Sequence, residues 1–154
     1  MQLVKAIGED VIDLSGIFPT SLSRMAERRL NHKRLDSIIL DVGGPDRLLI
    51  QCTPTDVDDE FEIDILTLRL IDHPLQGEKD VPISDIVVQG IERITTDYEG
   101  QRITVGIRLI SDSEPLDIIG GDVLASLAVY GWGFPDRDHQ SAFPLSEYHY
   151  EPWF

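Results

Sequence analysis

Apolar and polar residues alternate with a period of two over much of this chain. The clearest example is 101–110, where Ile103, Val105, Ile107 and Leu109 would share one face of a strand, an arrangement that a helix does not produce. Similar runs occupy 37–42, 47–53, 61–71 and 86–96. This pattern constrains the chain to form sheets. We therefore expect a mainly antiparallel β-sheet of six to eight strands, with a barrel-like or sandwich-like arrangement as an open alternative.

Short segments rich in turn-forming residues separate the runs. Gly43-Gly44-Pro45-Asp46 and Asp97-Tyr98-Glu99-Gly100 each join two runs and predict β-hairpins. The segment 123–130 is ambiguous, because Asp122 could cap a short helix there. The β-rich surroundings favour a strand on each side of a turn at Gly120-Gly121-Asp122 instead.

One segment near the N-terminus has helical spacing. Leu22, Met25, Ala26 and Leu30 recur at intervals of three and four residues after a possible helix start at 19–21. The basic residues Arg24, Arg28, Arg29, Lys33 and Arg34 would cover the remaining faces of this helix. They could pair with the protein's own acidic surface or with that of a second copy. With one N-terminal helix on an antiparallel sheet, the expected fold class is α+β, as a single domain over residues 1–154.

The last 25 residues contain eight of the eleven aromatic side chains, and prolines 135, 144 and 152 interrupt them. Proline opposes both helix and central strand, so we expect an extended or irregular arm. Its aromatic residues would either cover the protein's own sheet or form a contact surface. Trp132, Tyr148, Tyr150 and Trp153 are the candidate anchors for a partner.

The chain carries 28 acidic and 13 basic side chains, a net charge of −15. Such a field repels nucleic acid and anionic membranes, and it favours either a basic protein partner or simple solubility. A single cysteine excludes an internal disulfide, and the acidic residues near the start oppose a signal peptide. These features predict a cytoplasmic location.

Acidic residues occupy every second position from 56 to 64, namely Asp56, Asp58, Glu60, Glu62 and Asp64. On one extended strand all five would point to one face, about 6.6 Å apart at a rise of about 3.3 Å per residue. Like charges in a row disfavour one another unless a cationic surface meets them. We expect this acidic ladder to bind a basic partner, with a solvated loop and edge strand as the simpler alternative.

No segment carries a specific catalytic, cofactor or metal signature. The acidic stretch lacks the glycine and glutamate of an EF-hand loop, and no Walker loop, GxGxxG or GxSxG motif is present. Glu147, His149 and Glu151 would share one face of a strand, but a polar face is the simpler interpretation. Cys52 alternates with Leu48 and Ile50 and is expected to pack as a small apolar residue. We therefore expect no metal and no cofactor.

Three functions remain open. The first is a non-enzymatic acidic protein that binds a basic macromolecule, with immunity or antitoxin-type neutralisers of nucleases as one form. The second is a structural or assembly subunit, a homo-oligomer among its forms, that docks through its aromatic arm. The third is a small carboxylate-based enzyme, for which Asp136, Asp138 and His139 are the candidates.

Overall fold

The computed structural model describes residues 3–4, 14–30, 34–56, 62–98, 100–132, 134 and 140–153. This part of the chain contains thirteen strands and two short 3-10 helices, Leu14–Gly16 and Leu145–Glu147, and none of its helices has the length and apolarity to cross a membrane. The strands are β1 (Leu3–Val4), β2 (Thr20–Leu22), β3 (Met25–Leu30), β4 (Arg34–Asp41), β5 (Arg47–Asp56), β6 (Glu62–Ile71), β7 (Lys79–Val81), β8 (Ile86–Val88), β9 (Gly90–Tyr98), β10 (Gln101–Ile110), β11 (Leu116–Gly120), β12 (Leu127–Tyr130) and β13 (His149–Pro152).

The strands form two large sheets and one short ribbon. The first sheet has the order β12-β11-β10-β9-β13, and β1 pairs with β10 in parallel beside it. The second sheet has the order β6-β5-β4-β3-β7, and β2 pairs with β8 as a ribbon. Every pairing except that of β1 is antiparallel. The predicted β-rich, mainly antiparallel architecture is confirmed, with more strands than the six to eight expected.

The two large sheets meet across one hydrophobic core. Strand β6 contacts β10 and β11, and β4 contacts β12, so strands from different sheets face each other. The core takes side chains from both sheets, including Ile38 and Leu66 from the second and Ile107 and Ile118 from the first. The four alternating residues that define the pattern in 101–110 are all buried in this core.

Both predicted hairpins are confirmed. Strands β4 and β5 flank the turn at 42–46, where Gly43 and Gly44 have φ angles of +86° and +75°. The pairing of β9 with β10 begins beside the turn, where Tyr98 lies opposite Gln101, and Gly100 in this turn has a φ angle of +75°. Left-handed backbone of this kind is readily accessible to glycine, which explains why these residues set the turns.

The predicted N-terminal helix is wrong, and so the α+β class is not confirmed. Leu22 ends β2, whereas Met25 begins β3, which pairs with both β4 and β7. Met25 belongs to the main core, whereas Ala26 belongs to a small second cluster with Ile39. Neighbouring residues of a strand point to opposite faces, and burial of both faces produced the spacing that resembles a helix.

The ambiguous segment 123–130 resolves in favour of strands. β11 ends at Gly120 and β12 begins at Leu127, so the connection is longer than the predicted turn. Within it Val123 and Leu124 are exposed, and Ala125 has φ +61°. A positive φ at a residue other than glycine is uncommon and incompatible with the short helix considered for this segment.

The connection between β6 and β7 covers the second cluster. Its Leu75 packs against this cluster, and the carboxylate of Glu78 accepts a hydrogen bond from the Leu75 N–H at 2.8 Å. Arg47 donates to both Glu78 oxygens, at 2.7 and 3.1 Å, and both side chains are largely buried. Such a two-pronged arginine–carboxylate pair fixes geometry as well as adding energy, so it holds this connection on the sheet.

We predict that Glu78→Gln lowers the free energy of unfolding by about 1–3 kcal/mol, because it removes the charge that Arg47 faces in a largely buried site. Urea denaturation at neutral pH measures this loss. Glu114→Gln, at an exposed glutamate, is the matched control and should stay within about 0.5 kcal/mol of the parent. Equal stability of the two variants would contradict the assigned role of the pair.

Stability should also fall in acid. Burial alone would raise the pKa of Glu78, but hydrogen bonds from Arg47 and Leu75 and the charge of Arg47 lower that pKa. Burial likewise opposes the lowering of the pKa of Asp36 by Ser37, Arg28 and Gln51. A lowered pKa stabilises the fold above the unfolded-state pKa, and this contribution is lost as pH falls through the folded-state value. The urea midpoint should therefore drop below about pH 4, and less steeply in Glu78→Gln.

Candidate functional site

The acidic ladder does not lie on one strand. Asp56 ends β5 and Glu62 begins β6, and the two residues are opposite each other in the antiparallel pair. Asp58 and Glu60 lie outside the described residues. Asp64 is opposite Pro54 and is only 5% exposed. The expectation of five carboxylates on one exposed strand face is therefore wrong, because the chain reverses between Asp56 and Glu62 and the last member is buried.

Asp64 is held by the backbone of the β11–β12 connection. The N–H of Ala125 lies 3.0 Å from each of the two carboxylate oxygens. Gly120, at the end of β11, lies so close that an added Cβ would be 3.3 Å from the Asp64 Cβ. The two sheets thus approach closely at Asp64, and a side chain at position 120 would have to displace its neighbours by a few tenths of an ångström.

Cys52 lies beside Asp64 in the same close contact between the sheets. Its Sγ is 3.8 Å from the Val105 carbonyl oxygen of β10 and 3.5 Å from the position of an added Cβ at Gly120. Burial raises the pKa of the Cys52 thiol well above its ordinary value, and the negative charge of Asp64 raises it further. The thiol is therefore protonated and packs as a small apolar group.

A pocket of about 120 Å³ opens over Asp64. Apolar and aromatic side chains form much of its wall, and Asp64 and Asp122 are the charged residues in the described part of this wall. Asp122 is exposed, whereas Asp64 is buried, so the two acids occupy different depths. The described residues that line it are Asp64, Val105, Gly120, Gly121, Asp122, Leu124, Ala142, Phe143 and Tyr148.

The aromatic part of the wall comes from the C-terminal arm. The Phe143 N–H donates to the Tyr148 hydroxyl at 3.1 Å, and the two rings meet edge to face at 6.4 Å. Phe143 also contacts the Tyr98 ring of the β9–β10 hairpin at 6.2 Å. Tyr148 is 6% exposed, and burial raises the pKa of its hydroxyl. The arm therefore packs on the protein's own first sheet.

Further carboxylates lie beside this wall. Thr96, Asp97, Glu147 and His149 line a second, shallower depression, in which His149 Nε2 is 3.7 Å from an Asp97 oxygen. Thr96 donates to the Glu147 carbonyl oxygen at 3.4 Å, which joins β9 to the arm. We use the name acidic end for the acidic residues that line these two depressions, namely Asp64, Asp97, Asp122 and Glu147.

The other predicted anchors are not part of this site. The Trp132 indole N–H donates to the Glu114 carbonyl oxygen at 2.8 Å, beyond the opposite ends of β11 and β12. Tyr150 and Trp153 are half-buried, and the guanidinium groups of Arg108 and Arg93 lie over their rings at 3.7 and 4.3 Å. Of the five predicted partner-binding residues whose side chains are described, Asp64 and Tyr148 lie together in one pocket, whereas Trp132, Tyr150 and Trp153 do not line it.

The arginines of the predicted helix form ion pairs on the second sheet. Arg24 contacts Asp80 at 3.0 Å, Arg28 contacts Asp36, and Arg29 contacts Glu27 at 3.2 Å. Lys33 lies outside the described residues, and Arg34 has a buried Nε without a hydrogen-bond partner in the described part of the chain. Three of these basic side chains are thus paired with carboxylates of the same chain.

The metal candidates do not converge in the described part of the chain. Glu147 lies in a 3-10 helix, whereas His149 and Glu151 lie on β13, and the described ranges contain no group of three histidine, cysteine, aspartate or glutamate residues placed to hold a metal. Asp136, Asp138 and His139 lie outside the described residues.

Sequence reasoning missed several pocket residues. The sequence indicates Asp122 only as a turn residue or a helix cap, and no feature of it distinguishes Phe143 or Leu124. The available signal was the glycine pair before Asp122, since glycine also marks places where another part of the chain approaches closely. Comparison of the chain with protein-family models, with curated proteins and with solved structures gave no match.

We predict that Tyr148→Ala lowers the free energy of unfolding by about 3–5 kcal/mol, because it removes a large buried ring from the core. Leu145→Ala, at a residue 53% exposed in the same arm, should change it by no more than about 0.5 kcal/mol. Thermal or urea unfolding measures both. Removal of 144–154 should abolish cooperative unfolding, and a stably folded truncated monomer would refute the packing of the arm described above.

Proposed function

We propose that this protein is a non-enzymatic binding protein that uses its acidic end to bind a basic macromolecular partner. The observation that carries the proposal is that acidic residues from β6, β9, the β11–β12 connection and the arm line two depressions, one of which has an aromatic wall. No single segment of the chain would create this concentration of charge. The charge is concentrated only after folding brings these segments together, as is expected of a contact surface.

The charge balance supports a cationic partner. Six arginines, namely Arg24, Arg28, Arg29, Arg47, Arg102 and Arg108, form ion pairs with carboxylates of the same chain. Because acidic residues outnumber basic ones by 28 to 13, a large negative excess remains. This excess attracts a basic surface over a distance and raises the association rate, while short-range contacts at the pocket would slow dissociation.

A nucleic-acid-binding enzyme is one partner of the required chemistry, because its substrate groove carries lysine and arginine for the phosphates. An acidic protein that covers such a groove would block the enzyme, as an immunity protein or antitoxin does. The assembly-subunit alternative receives no support from the arm, whose strand β13 pairs with β9 of the same chain.

The proposal predicts a position-dependent effect of charge. Asp122→Asn with Glu147→Gln should weaken binding of a lysine- and arginine-rich peptide by about tenfold. The control Asp112→Asn with Glu114→Gln removes the same charge from exposed residues of the β10–β11 turn and should weaken it by about threefold or less, because only the long-range field changes. Titration calorimetry at low salt compares the two pairs.

Salt provides a second readout in the same experiment. Raising ionic strength from about 0.05 to 0.5 M should weaken the affinity by about tenfold, since the Debye length shrinks about threefold. Equal weakening by the two variant pairs, or an affinity insensitive to salt, would refute binding at the acidic end.

A further inference from the structure

Two segments of the pocket wall, the β11–β12 connection and the arm, expose apolar side chains to solvent. Among the described residues five large apolar side chains are exposed, and three of them lie in these segments, namely Val123, Leu124 and Leu145. Leu124 lines the pocket, and Leu145 lies in the chain between the lining residues Phe143 and Tyr148. One exposed leucine is ordinary, whereas several beside a concave apolar site indicate a contact surface.

The β11–β12 connection, which exposes two of these side chains, is held in one conformation by hydrogen bonds. The Gly121 N–H donates to the Ser126 carbonyl oxygen at 2.9 Å, and the Ser126 N–H donates to that of Val123 at 3.1 Å. Ala125 adopts φ +61°, and its N–H lies 3.0 Å from both Asp64 carboxylate oxygens. Left-handed backbone at an alanine is unfavourable and persists only where the surroundings fix it. An apolar surface fixed in this way loses little conformational entropy when a partner covers it.

The two acids of the pocket already have interactions within the chain. Asp64 is 5% exposed, accepts a backbone hydrogen bond and makes a further interaction, and Asp122 has an interaction of its own. The carboxylates therefore do not call for a charged ligand. Leu124 and Ala142 are exposed and Phe143 is half-buried, so an occupant would remove apolar surface from water. Such removal is favourable in proportion to the apolar area covered.

The size of the pocket restricts the occupant to one side chain. Its volume is about 120 Å³, which is somewhat below the roughly 150 Å³ of an engineered apolar cavity that accepts benzene. The side chain of leucine or isoleucine is smaller than benzene and fits this volume. A branched aliphatic side chain also has few rotatable bonds, so little side-chain entropy is lost when it is buried.

We propose that this pocket anchors the basic partner by taking up one aliphatic side chain of leucine or isoleucine size, packed against Leu124, Ala142 and Phe143. The proposal rests on the proposed function for the basic character of the partner. Long-range attraction acts on any cationic surface, whereas an apolar side chain placed between cationic ones distinguishes one basic partner from another. Glu147, exposed in the arm next to the lining residue Tyr148, supplies negative charge for the flanking cations.

The direct test compares two basic peptide amides that differ in one side chain. The peptide Lys-Lys-Gly-Leu-Gly-Lys-Lys should bind at least about tenfold more tightly than the same peptide with serine in place of leucine, because only the leucine covers apolar surface. Titration calorimetry at low salt measures both affinities. The leucine peptide should also shift the amide resonances of Gly121 and Leu124, which line the pocket. Equal affinity of the two peptides would overturn the proposal.

Paired leucine substitutions test the position of the site. Leu124→Ser should abolish the preference for the leucine peptide, whereas Leu70→Ser should retain it. The two residues are 47% and 43% exposed, both substitutions keep the net charge, and Leu70 does not line the pocket. Ala142→Phe adds a ring at an exposed position of the wall, should also abolish the preference, and replaces Leu124→Ser if that variant does not fold. An unchanged preference in the pocket variants would refute the site.

The same peptides separate this proposal from the broader one. If both peptides bind equally and both are weakened by Asp122→Asn with Glu147→Gln, the acidic end binds but the pocket does not anchor. If the preference for leucine persists while the affinity is insensitive to salt and to these two substitutions, the pocket takes up an aliphatic side chain and the basic-partner function fails.

Discussion

The shared apolar core between the two large sheets is the interaction on which the rest of the structure depends. Each leucine or isoleucine buried there contributes about 1.5–3 kcal/mol relative to an exposed position. The core draws on nearly every strand, and on Phe134 and Tyr148 near the C-terminus as well. Because these contacts hold the sheets together, the chain can tolerate a buried carboxylate at Asp64 and left-handed backbone at Ala125, both of which are unfavourable in isolation.

The fold could be predicted where local rules decide the outcome. Glycines at 43, 44 and 100 supply the backbone conformations of two hairpins, and the alternation in β10 identifies its buried face without reference to distant residues. The N-terminal helix was wrong because β3 is covered on both faces. Met25 and Ala26 are both buried, and burial on both faces removes the alternation that distinguishes a strand from a helix.

The candidate site was less predictable, because long-range pairing creates it. Asp64 and Tyr148 were both singled out from the sequence, but their common pocket depends on the meeting of β6, β11 and the arm. The acidic ladder assumed one continuous strand, whereas the chain turns between β5 and β6. Asp64 is buried where it lies opposite Pro54 and close to Gly120, and neither of these contacts has a local signal in the sequence.

Because Cys52 is enclosed between the two sheets, the reactivity of its thiol reports whether the sheets are packed together. Thiol reagents attack the thiolate, and here the sulfur is both protonated and shielded by Asp64, Val105 and Gly120. The rate of alkylation of Cys52 is therefore proportional to the fraction of molecules in which the sheets have separated. Because the sulfur adjoins the carboxylate at the base of the pocket, any occupant that tightens this junction will also slow the labelling, without a reporter group having to be introduced.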